Sequence, residues 1–257
     1  MGPVEFKDFS WEALLDSACD LTMGGIAENL VRQYQMTREE VDRYASQSFA
    51  RAVAARAAGF FDDEIVPVVS EEFAIAGLES GGIKLDCRID AVTEGSHVCV
   101  SPAAALAKIW PAFGGVQTWG NSSAVVDGAA VGLVIGVAVG CPPEIMGIGP
   151  VPAIRAMLAR TGLALGDIDR FEINEAFGVQ VVACARQPVR DEDRSNANGG
   201  AIVIGRLLGA TGIWLVVTLA RALRRAGLRR GNAAACIGGG QGIALLAENP
   251  DGKSGRK

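Results

Sequence analysis

Apolar residues at Val41, Tyr44, Ala45, Phe49, Ala52 and Val53 recur at three- and four-residue spacing, the stripe of a helix buried on one side. Thr37-Arg38-Glu39-Glu40 precedes the stripe as a capping box, in which the Thr37 hydroxyl and the Glu40 carboxylate satisfy orphan amides at a helix start. Gly59 supplies the left-handed stop. The pattern predicts a shorter helix over Gly25–Tyr34 and a strand over Ile65–Val69, whereas residues 70–104 carry few periodic signals and read as a long excursion. From Ile109 onward apolar strands, glycine turns and amphipathic helices alternate. Pro152 opens a helix that ends at Gly162, Asp169–Ile173 is a short strand, and Ile213–Ala226 is a strong amphipathic helix. Ala233–Ile237 and Ile243–Ala247 are apolar strands on either side of a glycine loop. Such alternation predicts an α/β layered fold.

Composition narrows this picture. With 257 residues, 49% of them hydrophobic, the chain buries a substantial core as one large domain or two smaller ones. Its 33 glycines fall in discrete turns, not in low-complexity tracts. A net charge of −5 argues against a nucleic-acid partner, which wants a basic footprint. Met1–Asp20 is acidic, the wrong charge for a targeting peptide. Gly128–Pro143 is uncharged with glycine at every fourth position up to Gly140, but a spanning helix needs roughly 20 apolar residues. The expectation is a core strand or helix and no membrane span. Six scattered cysteines form no CxxC pair, which predicts neither a metal site nor a disulfide framework and suggests a cytoplasmic setting.

The candidate chemistry lies late in the chain. Asn174-Glu175-Ala176-Phe177 follows a strand, Asn198-Gly199-Gly200-Ala201-Ile202 comes next, and Cys236-Ile237-Gly238-Gly239-Gly240-Gln241-Gly242 closes the series. Taken alone, Cys236 reads as a small buried residue at a strand end or as an active-site thiol, and Asn174 as a helix cap or a polar site residue. The glycine loop fits neither phosphate-cradle pattern, and no lysine follows it. His97, the single histidine, lies in the irregular excursion and reads as an exposed loop residue. Cys184 reads as core, and Arg221, Arg224, Arg225, Arg229 and Arg230 as a solvated helix face, with a phosphate-binding patch the lesser reading.

These three motifs together resemble the C-terminal half of a thiolase, and the resemblance extends in order over nearly the whole chain. Met23-Gly24 with Ala27-Glu28-Asn29, Arg38–Asp42, Glu64–Val68, Leu106-Ala107-Lys108 with Pro111-Ala112-Phe113, Thr118–Ala130 and Met146–Ala153 are each similar to a thiolase signature. The resemblance implies an α/β, thiolase-like αβαβα layered fold with an incomplete N-terminal half. It implies a lid, or loop, domain over 1–108, rich in helix and irregular, a remnant of the N-terminal half over 109–140 and the C-terminal half over 141–257. The lid is expected to form a separate, partly mobile unit.

The resemblance also implies roles. Asn174 would fix a water that holds the thioester oxygen, Cys236 would be the acid/base, and the Gly238 amide would serve a second oxyanion hole. Met23, Phe113, Ser123 and Phe177 would line the channel for the pantetheine arm of coenzyme A, which is substrate; no cofactor is implied. The family's catalytic histidine stands in a GHP triplet, whereas Gly205-Arg206-Leu207 occupies that place here. No segment of the sequence matches the one that carries the family's nucleophilic cysteine. Arg206 accepts no proton near neutrality but is expected to favour the Cys236 thiolate by its charge. The implied function is that of an acyl-CoA acyltransferase of Claisen chemistry, catalytically impaired. The alternatives are a non-catalytic protein binding CoA esters or a partner, or a truncated gene product. The implied partners are acyl-CoA or CoA, and a second copy or a thiolase-like chain.

Overall fold

In the computed structural model, which describes residues 13–73, 81–85, 89–95, 97–124, 136–187, 192–206 and 209–254, a four-stranded sheet carries the site. The chain reaches it late. It begins with a small ribbon, β1 (Leu15–Asp16) and β2 (Leu21–Thr22), and runs directly into α1 (Met23–Tyr34) and α2 (Arg38–Ala57). Thr22 caps α1 by accepting the Gly25 amide, so this helix starts two residues earlier than the pattern predicts. The capping box at Thr37 and Glu40 is formed in both directions, and Gly59 takes φ +63°, as the sequence requires.

Two small ribbons follow: β3 (Val68–Val69) pairs β6 (Ala91–Val92), and β4 (Glu71–Phe73) pairs β5 (Gly81–Ile83). The strand expected over Ile65–Val69 is thus only its last two residues. The Ile65 amide is still engaged in the turn after α2, bonding the Phe61 carbonyl, and Pro67 has no amide to offer a ladder. A one-turn α3 (Ala103–Leu106) completes this part.

The main sheet has the order β7 (Val137–Gly140), β10 (Gln241–Glu248), β9 (Arg230–Ile237), β8 (Arg170–Ile173). The first two pairings are antiparallel and the last is parallel. Helix α4 (Pro150–Thr161) follows a 3-10 turn at Pro143–Ile148. Helices α5 (Gly178–Ala185), α6 (Ala201–Ile204) and α7 (Thr211–Arg225) come after β8. Because successive strand residues face opposite sides, the sheet has two apolar faces. Phe171, Ile173, Ala234 and Ala244 meet Ile154 and Met157 of α4. Ala233 and Leu245 meet Leu215, Leu219 and Leu223 of α7. The result is a helix–sheet–helix sandwich, the α/β layering of a thiolase-like fold.

Of the uncharged stretch Gly128–Pro143, residues 125–135 lie outside the described ones, and Val137–Gly140 is a strand at the sheet's edge. No helix among the described residues is long and apolar enough to cross a membrane.

The two helices within the expected lid, α1 and α2, pack against the helices that follow β8. Tyr44, Ala45 and Phe49 of α2 share a hydrophobic cluster with Val181, Ile202 and Val203, and Leu30 of α1 shares one with Val179 and Ala183 of α5. The arginines of α7 lie on an exposed or half-exposed face and meet partners there. Arg221 pairs with Asp63, and Arg225 pairs with Asp63, donates to the Gly59 carbonyl and stacks over Phe60. Arg229 and Arg230 both bond Glu248.

Candidate active site

Strand β8 delivers the Asn174–Phe177 turn to the end of the sheet. The Asn174 amide continues the ladder by donating to the Ala234 carbonyl at 2.9 Å. Asn174 is buried, and its Oδ1 has no hydrogen-bond partner. The next residue does the structural work. Glu175 is fully buried and accepts from Tyr44 Oη and Ser48 Oγ at 2.7 Å each, from Asn196 Nδ2 at 2.8 Å and from the Ile202 amide at 3.2 Å. A buried carboxylate is tolerated when donors replace its water. A Cβ at position 200 would overlap the Glu175 carboxylate, so glycine is required there.

The other side of the turn is zipped to residues 121–123. The Ala176 carbonyl accepts both the amide and the hydroxyl of Ser123, and the Gly178 amide donates to the Asn121 carbonyl. Asn121 in turn donates to Asp42 of α2. Glu28 of α1 accepts the Val116 and Gln117 amides through Oε1, which holds the preceding loop. Phe113 places its ring edge-on to Phe177, 6.2 Å between centroids, and lies against Gly24.

Cys236, the penultimate residue of β9, lies across from Gly242, buried among Met23, Ile26, Met146 and Ala176. It opens onto a narrow cleft lined by Met23, Ile26, Ala27, Leu30, Met146, Gly147, Ala176, Phe177, Gln180, Arg206 and Cys236. Arg206 is anchored by its backbone amide, which donates to the Ala124 carbonyl at 2.6 Å. Burial pushes the Cys236 thiol up, and the Arg206 charge opposes this without cancelling it. The expected stabilisation of the thiolate is therefore corrected: desolvation outweighs the cation, and the group is held as a neutral thiol.

Of the residues singled out by sequence, Cys236, Arg206, Met23 and Phe177 line one cleft. Asn174 is not among the lining residues and stands two positions before Ala176, which is. Gly238 stands beside it, with the Met23 methyl and the Asp16 carboxylate as its nearest surroundings. Phe113 joins through Phe177, and the Ser123 hydroxyl is spent on the Ala176 carbonyl. His97 is exposed beside Phe49. No group of three metal-ligating side chains occurs among the described residues.

Three contributors escape a reading by sequence. Asp16 sends Oδ2 onto the Gly239 amide at 2.7 Å, so a carboxylate from the first ribbon already occupies a donor of the glycine loop. Gln180 lines the cleft and lies one helical turn after Phe177, a spacing that would have marked it. Glu172, two residues before Asn174, is fully buried with neither oxygen hydrogen-bonded.

Residues 1–137 match the family profile described as "Thiolase, N-terminal domain", and residues 130–249 match "Thiolase, C-terminal domain". The chain belongs to the thiolase family. It is 37% identical over 266 residues to human mitochondrial 3-ketoacyl-CoA thiolase, covering 96% of this chain and 64% of that one. It is 38% identical over 263 residues to the acetyl-CoA acetyltransferase of Chromobacterium violaceum, covering 93% and 63%. The crystal structure of the human mitochondrial enzyme in complex with CoA superposes with a TM-score of 0.84 at 35% identity, over 96% of this chain and 64% of that one. The Bacillus anthracis acetyl-CoA acetyltransferase gives 0.82 at 35% identity, over 96% and 65%. The chain thus spans a little under two thirds of the length of these relatives.

Proposed function

We propose that this chain is a thiolase-family protein that takes the acyl end of a CoA thioester into the Cys236 cleft, and that it does not carry out Claisen cleavage or condensation. One observation carries the reading: among the described residues, Cys236 and Arg206 are the only ionisable side chains that line the cleft. Both act as donors there. The guanidinium offers N–H groups and accepts nothing, and the thiol keeps its proton because it is buried. Donors of this kind hold a thioester oxygen and stabilise negative charge on it. Claisen chemistry needs in addition a base that takes a proton near neutrality, the task for which histidine is suited. The apolar wall that Met23, Ile26, Ala27 and Leu30 of α1 present suits an acyl group, and the names of the relatives, 3-ketoacyl-CoA thiolase and acetyl-CoA acetyltransferase, support a CoA thioester as the ligand class.

The test pairs binding with turnover. Equilibrium dialysis with acetyl-CoA is expected to show saturable binding. Acetoacetyl-CoA mixed with CoA is expected to be cleaved no faster than by a Cys236→Ala chain. Absence of binding would remove the ligand assignment. Robust cleavage lost in Cys236→Ala would show that a base is at work and remove the impairment.

A further inference from the structure

The small ribbon of β1 and β2 covers the surroundings of Cys236. Leu14, Cys19 and Leu21, from the ribbon, its turn and its flank, pack against the cluster that holds Cys236 and Met23. Two residue pairs are all that join its strands, and a two-stranded hairpin is marginally stable by itself. Two further bonds hold it at the site. The Met23 amide donates to the Leu14 carbonyl at 2.8 Å, which fastens the ribbon to the start of α1. Asp16, 3% exposed, accepts the Ala18 amide through Oδ1 at 2.9 Å and the Gly239 amide through Oδ2 at 2.7 Å. The Ala18 bond is internal to the ribbon. The Gly239 bond crosses to the glycine loop, three positions past Cys236.

We propose that this ribbon is a strap over the Cys236 cleft, latched by the Asp16–Gly239 bond, and that it lifts to give access to the thiol. Cys236 is 5% exposed in a narrow cleft, so a molecule reaches its sulfur only when a wall gives way. The other walls are poor candidates. Ile26 and Leu30 of α1 are 1% and 0% exposed, Leu30 shares a cluster with Val179 and Ala183 of α5, and β9 is an inner strand of its sheet. Lifting the ribbon breaks one long-range hydrogen bond and frees Leu14 and Leu21 from the cluster. Moving elements are drawn from the parts of a fold with the lowest local stability. The inference goes beyond the ligand reading, because it concerns the way into the cleft whatever enters.

Iodoacetamide labelling of the full chain at pH 8, read cysteine by cysteine in a mass spectrometer, tests it. Exposed Cys99 is the rate standard, and Cys184, 0% exposed, reports general unfolding. A buried thiol that reacts from an open form labels at a rate set by the population of that form. Asp16→Ala is expected to speed Cys236 by about tenfold or more, the effect of losing a hydrogen bond to a charged group, with Cys184 unchanged. Asp16→Asn, which keeps an acceptor oxygen and loses the charge, is expected to fall between wild type and Asp16→Ala, and it serves if Asp16→Ala does not fold. Hydrogen exchange of the wild type is expected to show residues 14–22 losing protection ahead of α4. An unchanged Cys236 rate in folded Asp16→Ala, or Cys184 rising in step with Cys236, would overturn the strap. So would equal acceleration in both variants, which would trace to the lost charge, or ribbon protection equal to that of α4. Failure of acetyl-CoA to bind, beside the expected labelling pattern, would overturn the ligand assignment above and support the strap.

Discussion

Glu172 is a buried carboxyl with both oxygens unbonded, and replacing it with methionine is expected to stabilise the fold. Its neighbours on β8, Phe171 and Ile173, face α4, so Glu172 faces the layer of α7, as does its cross-strand partner Ala233. There it is fully buried with both oxygens unbonded. Burial first, then the Glu175 and Glu64 charges, push its carboxyl well above the ordinary carboxylate range. An unsatisfied buried polar group costs about 1–3 kcal/mol, and methionine matches the shape of glutamate without a polar atom. Glu172→Met should recover about that amount, a rise in Tm of roughly 2–12 °C at 2–4 °C per kcal/mol for a chain of this size.

The pH dependence fixes the cause. A carboxyl whose folded pKa is raised contributes stability that is complete below its unfolded value, 4.5 here, and lost as pH climbs toward the folded one. The gap between Glu172→Met and wild type should therefore widen from pH 4.5 upward. Paired melts followed by circular dichroism at pH 4.5, 6 and 8 measure it. A variant less stable than wild type at pH 8, or a gap that narrows as pH rises, would show that Glu172 has a partner and that this account of it is mistaken.

The neighbouring carboxylate should behave in the opposite way. Glu175→Gln places an amide N–H against at least one of the donors from Tyr44, Ser48, Asn196 and Ile202, and is expected to cost about 1.5–3 kcal/mol in urea melts; an unchanged midpoint would count against the network. The Cys236 thiol, pushed up by burial, should alkylate slowly at pH 7 and faster as pH rises past 9, and more slowly still in Arg206→Gln, where the opposing charge is gone. Mass spectrometry of iodoacetamide-treated protein reads both rates, with exposed Cys99 as the internal standard; fast labelling of Cys236 at pH 7 would contradict its being a buried thiol.

What the sequence disclosed was local. The capping box at Thr37, the left-handed glycines at 59 and 162, and the strands flanking the glycine loop depend on residues within one turn of each other, and all are present. The convergence of Cys236 and Arg206 on one cleft was legible only through motifs. What remained hidden depends on distance along the chain or on burial. Glu175 meets Tyr44 across 131 positions, and Asp16 meets Gly239 across 223, with no spacing rule to join them. The Cys236 thiol was misjudged because sequence displays a charge at Arg206 but not the desolvation that outweighs it.

The anchoring of α2 on the end of the sheet has a consequence during synthesis. Ser48 waits for Gly200, which is 152 residues further on, and at roughly 5–20 residues per second that delay is about 8–30 s on a ribosome. Throughout it, Tyr44, Ala45, Phe49 and Ala52 have lost access to the Val181, Ile202 and Val203 surface that will cover them, because that surface has yet to be translated. Helix formation itself takes microseconds or less, so α2 has time to form and fray many times while its apolar face is uncovered. A chaperone that holds apolar helices would find its site here, and slowing the codons between residues 60 and 175 should lower the yield of folded protein far more than slowing those after residue 204.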